Sequence, residues 1–259
     1  MKSILAVGCA ILAGSLLADE ASEEVVQGRN ELGVLAVTTT TKNTIVPIAF
    51  TDLNGDGALK IADFVKTQNL KAGDQVMVFT DRNNYETWQL TGEDGSNKTW
   101  EKMKSISLDA EGKQSQSEGN EAGDVTKAVG SGVWLILGDD RASASNPVTF
   151  YLNGKPVSSK TTTTQAGKWN LLGNPNETGS FSGFTPVVGD QIAIPVGNGF
   201  RTYRCRVKDG TTQWFYETYK SENGMATATK VYGAPSVDAA KGLWYYTQVS
   251  KTINWNPND

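Results

Sequence analysis

Gly73-Asp74-Gln75-Val76-Met77-Val78 returns further along the chain as Gly189-Asp190-Gln191-Ile192-Ala193-Ile194, and this return organises the rest of the sequence. After each copy comes a turn rich in Asn or Gly, then Tyr85 or Tyr203. A Trp-bearing segment follows, Thr99-Trp100-Glu101-Lys102 in one half and Gln213-Trp214-Phe215-Tyr216 in the other. Next is a Gly-apolar-Trp segment, Gly132-Val133-Trp134-Leu135-Ile136 against Gly242-Leu243-Trp244-Tyr245-Tyr246. The halves end in Val148-Thr149-Phe150-Tyr151-Leu152 and Thr252-Ile253-Asn254-Trp255. Order is kept while spacing drifts, as expected of duplicated strands joined by variable loops.

These segments are short, rich in Val, Ile, Thr and aromatics, and bounded by Gly, Asn and Asp, which favours strands. Asn153-Gly154, Asn198-Gly199 and Asp209-Gly210 read as hairpin turns. The predicted fold is therefore all-β, with two similar antiparallel sandwich-like or barrel-like lobes arising from an internal duplication. The lobes are expected over 30–157 and 167–259, with the Ser/Thr-rich stretch 158–166 as connector. One short helix is expected after residue 60, over Ile61 to Thr67. Gln114 to Asp124 reads as a polar loop.

Composition excludes much chemistry. The 259 residues contain no His, so nucleophiles activated by imidazole and His-ligated metals are absent. Carboxylate-only chemistry and oxygen-ligated calcium remain open. The formal charge of -4, with 24 basic and 28 acidic residues, lacks the basic balance of a nucleic-acid binder. No phosphate-cradling Gly loop occurs.

The first eighteen residues, MKSILAVGCAILAGSLLA, have the form of an export signal. Lys2 gives the positive start, Ile4 to Leu17 the apolar stretch, and a cut is expected near Ala18, at latest Ala21. The stretch is shorter than the roughly 20 apolar residues that span a bilayer, so the mature chain is expected without a membrane span. A lipid on Cys9 is the lesser alternative. The expected location is periplasmic, cell-surface or secreted, and cleavage leaves Cys205 as the sole thiol, with no internal disulfide. Within Tyr203-Arg204-Cys205-Arg206-Val207 it reads as an ordinary strand residue.

Asp52-Leu53-Asn54-Gly55-Asp56-Gly57-Ala58-Leu59-Lys60-Ile61-Ala62-Asp63 places oxygens where a hard cation needs them. Asp52, Asn54 and Asp56 hold alternate positions, Gly57 gives the sharp turn, the Ala58 carbonyl faces inward, and Asp63 closes the loop. The pattern resembles the calcium loop of dockerin modules, which implies calcium as a cofactor. Lys60 stands where a small polar residue is usual, and the chain has one such loop where dockerins have two. An Asx/Gly turn without an ion is the competing reading.

The order of Gly-Asp-Gln-apolar, Trp169-Asn170-Leu171-Leu172-Gly173-Asn174-Pro175 and Gly-apolar-Trp resembles a group of exported bacterial two-lobe β proteins. That resemblance implies a structural or binding module at the cell surface. Lys241-Gly242-Leu243-Trp244 departs from it where a second Gly and a Phe are usual.

Most of the seven Trp are expected in the core, with Trp100/Trp214 and Trp134/Trp244 as matched landmarks. Trp244, Tyr245 and Tyr246 put aromatics on both faces of one strand, making them the candidate ligand-contact patch. Asp139-Asp140, Glu93-Asp94 and Glu121 with Asp124 are the carboxylate pairs a polysaccharide hydrolase would need. The leading expectation is a secreted, non-catalytic structural or binding protein contacting a glycan or surface protein. A calcium-dependent assembly module and a carboxylate hydrolase are the alternatives.

Overall fold

Residues 33–50, 59–60, 70–92, 99–108, 113–117, 126–138, 141–157, 160–197, 199–222 and 225–256 are described in a computed structural model. Strand formation follows the period-two burial of the sequence: in β1 (Gly33–Thr39) Leu35 and Val37 point inward while Val34, Ala36 and Thr38 face out. The first half continues with β2 (Asn43–Pro47), β3 (Leu59–Lys60), β4 (Gln75–Asp81), β5 (Asn84–Thr91) and β6 (Thr99–Leu108). It closes with β7 (Gln114–Ser117), β8 (Thr126–Lys127), β9 (Gly132–Ile136) and β10 (Val148–Gly154).

The second half comprises β11 (Thr161–Thr163), β12 (Trp169–Gly173), β13 (Ser180–Phe181), β14 (Gln191–Val196) and β15 (Gly199–Lys208). It ends with β16 (Thr211–Glu222), β17 (Met225–Tyr232), β18 (Val237–Asp238), β19 (Gly242–Tyr246) and β20 (Thr252–Asn254).

Strand order is the same in both halves. One six-stranded antiparallel sheet runs β2-β9-β4-β5-β6-β7 and the other β12-β19-β14-β15-β16-β17. Each half adds two small pairs, β1-β10 and β3-β8 in the first, β11-β20 and β13-β18 in the second. The fold is all-β, and no helix occurs among the described residues.

Several local expectations change. Asn153-Gly154 is not a turn but the end of β10, paired with Val34 and Gly33, because β1 claims its backbone. Thr161–Thr163, in the middle of the expected connector, is strand β11, paired with β20. Gln114–Ser117, expected in a loop, forms edge strand β7 against β6. The register puts Tyr203 opposite Ile192, where the first sheet has Trp88 opposite Val76, so Tyr203 corresponds to Trp88 rather than Tyr85. The turn at Asp209-Gly210 is as read, both residues having positive φ, 51° and 76°. The leader, the Ile61 to Thr67 helix and the paired acids 93–94, 121/124 and 139–140 lie outside the described residues.

The repeated Gly-Asp has a defined task at the head of β4 and β14. Asp74 is buried; its carboxylate accepts the N–H groups of Lys71 and Gly138, both at 2.8 Å, and pairs with Arg141. Asp190 is equally buried, accepting Gln248 N–H at 2.9 Å and Tyr245 O–H at 2.9 Å while pairing with Lys251. Each Asp backbone also bonds across to β5 or β15: Leu90 N–H to the Asp74 carbonyl, Cys205 N–H to the Asp190 carbonyl. A buried carboxylate is tolerable only when paired and hydrogen-bonded, and both are.

Alternation then splits each sheet into two faces. In β9, Val133 and Leu135 enter the first-half core with Val76, Trp88, Leu90, Trp100 and Phe150. In β19, Leu243 and Tyr245 enter the second-half core with Ile192, Cys205, Trp214 and Trp255. The residues between them, Trp134 and Trp244, turn the other way and meet each other at 6.3 Å between ring centroids. With Ile45, Leu171, Ala193, Phe79 and Trp169 they form a third core where the two large sheets pack face to face. Phe79 sits edge-on to Trp244 at 4.9 Å.

Hydrogen bonds between the halves reinforce the junction. Gly173 N–H donates to the Gly130 carbonyl at 3.0 Å, and Thr162 Oγ1 donates to the Val129 carbonyl at 2.7 Å. Gly242 is required for close approach, since a Cβ there would fall on the Ile45 side chain and the Leu172 carbonyl. Gly33–Asp259 is accordingly one compact unit.

Candidate binding cleft

The β4–β5 turn, Asp81-Arg82-Asn83-Asn84, is built around its first residue. Asp81 Oδ1 accepts the N–H groups of Asn83 at 2.9 Å and Asn84 at 3.1 Å, and Oδ2 accepts the Asn84 side-chain amide at 2.7 Å. Burial pushes the Asp81 carboxyl up, but the Asn83 backbone, the Asn84 amide and Lys168 together hold it below its ordinary value. Across from it is the loop 165–168, fixed by the second residue of the Trp-Asn-Leu-Leu motif. Asn170 Oδ1 accepts Gln165 N–H at 2.7 Å, and its amide donates to the carbonyls of Lys168 at 3.0 Å and Tyr245 at 3.2 Å.

The rest of that motif is legible in the same way. Leu171 faces the inter-sheet core and Leu172 its own half's core. Asn174 is fully buried; its amide donates to the Val237 carbonyl at 3.1 Å, and its oxygen accepts Asn176 N–H at 3.1 Å.

Between the turn and the loop lies a cleft of about 250 Å³ lined by Asp81, Arg82, Asn83, Asn84, Gly167, Lys168 and Trp169. Lys168 Nζ stands 3.5 Å from Asp81 Oδ2. The half-buried Trp169 ring leans on Tyr246 at 5.7 Å, and the exposed Arg82 guanidinium lies 5.7 Å from the Trp169 centroid. The result is a half-buried aromatic ring with an exposed, displaceable guanidinium over it, flanked by amide, carboxylate and ammonium groups on an open surface. Stacking on the ring and hydrogen bonding at its rim are what this arrangement can do.

The expected aromatic patch is rearranged. Trp244 is 7% exposed, sealed between the sheets, and Tyr245 is 1% exposed with its O–H on Asp190. Burial and the Asp190 charge push the Tyr245 phenol above its ordinary value. Only Tyr246 of the three reaches the surface region, as the support of Trp169. The alternation that drew attention to residues 244–246 also required two of them to be buried, because this strand is covered on both faces.

Of the calcium-like loop, Asp52, Asn54, Asp56, Ala58 and Asp63 lie outside the described residues; Leu59–Lys60 is described only as pairing with Thr126–Lys127. Among the described residues no group of three acids or thiols converges as a metal site. Cys205 is buried in the second-half core, and burial with the nearby Asp190 charge pushes its thiol up to about 11, which makes it an inert strand residue.

Asp81, Arg82, Asn83, Asn84 and Lys168 were not singled out from sequence. Their local signal is a polar hairpin turn, and such turns are common. What makes this one distinctive is Trp169 from the other half. Compared with family models, curated proteins and solved structures, this chain matches none.

Proposed function

We propose that this chain is an extracytoplasmic, non-catalytic binding protein, built by internal duplication, whose cleft beside Trp169 takes a neutral saccharide. The carrying observation is the Trp169 ring, backed by Tyr246 and rimmed by the fixed Asp81-Arg82-Asn83-Asn84 turn and Lys168. A sugar has an apolar face for an aromatic floor and hydroxyls for a rim of amides and charges. The cleft, at about 250 Å³, is below the roughly 300–1,000 Å³ typical of drug-sized ligands and suits a single sugar ring. The matched strand order of the two sheets supports the duplication, and the apolar leader supports export.

A neutral glycan array followed by titration of the best ligand tests this reading. Trp169→Ala is expected to weaken binding about fivefold or more, since truncating an aromatic anchor of a binding site costs over about 1 kcal/mol. Silence across the array, or a hit indifferent to Trp169→Ala, would remove it.

A further inference from the structure

The outer half of the second sheet carries a different surface. Beyond the strip covered by the first sheet, one face of β15 presents Arg204, Arg206 and Lys208 at alternate positions, spaced about 6.8 Å at a strand rise of 3.4 Å per residue. Lys230 on β17 joins them across the sheet, because Arg204 pairs with Phe215, Phe215 with Tyr232, and Glu217 with Lys230. Arg206 lies over the rings of Phe215 at 4.8 Å and Tyr232 at 5.2 Å, with Lys208 at 4.1 Å from Tyr232 and Lys230 at 5.6 Å from Phe215.

Arg206, Lys208 and Lys230 thus stand on a rigid aromatic bed with Arg204 beside them, answered by Glu217, 3.5 Å from Arg204, and by Asp209 at the hairpin turn, 3.9 Å from Lys208. The four cations and two carboxylates give the strip +2, while the chain totals -4, so the remainder carries -6. The fold does not require this arrangement. At the matching registers the first sheet has Gln89 for Arg204, Thr91 for Arg206 and Glu101 for Phe215. Two polar atoms here are also buried without a hydrogen-bond partner, Arg206 Nε and Tyr232 Oη.

We propose that this face of β15–β17 is a docking strip for an acidic polysaccharide, whose carboxylates are received by Arg204, Arg206, Lys208 and Lys230. Guanidinium groups match carboxylates in a two-pronged geometry, and evenly spaced cations suit a polymer with regularly repeated anions. Nucleic acid fits less well: sheet-surface binders stack bases on open rings, whereas Phe215 is 7% exposed and capped by Arg206 and Lys230. The strip is separate from the Trp169 cleft and does not depend on it.

The test is binding of the full chain to polygalacturonate, with neutral dextran, poly(dT) and polyglutamate as comparators, at 20 and 200 mM salt. Polygalacturonate is expected to bind tightest and to weaken about tenfold or more over that salt range. Arg204→Gln/Arg206→Gln/Lys208→Gln is expected to weaken it at least tenfold at low salt, and Trp169→Ala to leave it unchanged. Because Arg206 packs on two rings, Arg204→Gln/Lys230→Gln, which leaves that packing in place, serves as a second variant and is expected to lose several-fold. Equal binding of dextran, tighter binding of poly(dT) or polyglutamate, or full affinity in both variants would overturn the proposal.

Discussion

Replacing Asp190 by Asn removes a charge and keeps the shape. The native carboxylate is 0% exposed and has three donors: Gln248 N–H, Tyr245 O–H and the Lys251 ammonium. An amide oxygen can still accept the Gln248 N–H, but the amide nitrogen must then face the Lys251 ammonium, which only donates, and the Tyr245 oxygen, which already accepts from Lys251 at 2.9 Å. Breaking a buried pair by removing one partner costs about 3–5 kcal/mol. The lower end applies, because the Lys251 side chain is 14% exposed and water can reach the freed ammonium. About 3 kcal/mol in a unit of this size corresponds to a fall in Tm of about 6–12 °C. Asp74→Asn is expected to behave alike, since it strands Arg141 in the same position of the first half. Asp209→Asn, at an 83%-exposed side chain, is the control and is expected to cost under about 0.5 kcal/mol. Thermal unfolding followed by near-ultraviolet circular dichroism reads all three. If Asp190→Asn melts within a degree of wild type, the corner is not an anchoring ion pair and the account of the repeated Gly-Asp is wrong.

Gly242→Ala forces a methyl into Ile45 and the Leu172 carbonyl, so a loss of about 2 kcal/mol or more is expected, whereas Gly233→Ala enters open space and should be near neutral; denaturant midpoints of the two variants check this. Cys205 in the native protein is expected to resist a thiol reagent at pH 8 and to react once unfolded. Its folded pKa, about 11, is raised above the ordinary 9.0, so its contribution is fully present below pH 9 and is lost as pH rises through 11. Wild type should therefore lose stability relative to Cys205→Ala across that window, as read by urea midpoints at pH 8, 9, 10 and 11.

The sequence alone determined the strand content and the placement of the matched segments, because both depend on local rules. Alternating β-branched and aromatic residues between Gly and Asn turns specify strands wherever they sit, and Trp100 and Trp214 do occupy equivalent core positions, opposite Leu90 and Cys205. What sequence could not supply was the second covered face. The repeat marks Trp134 and Trp244 as core residues, but only the packing shows which core: they turn away from Val133, Leu135, Leu243 and Tyr245 and fill the space between the two sheets, where Gly242 allows the close approach. The same contact decides where a ligand can reach. It seals Trp244 and brings Trp169 from one half against the Asp81 turn of the other, a meeting fixed by long-range packing that no local pattern encodes.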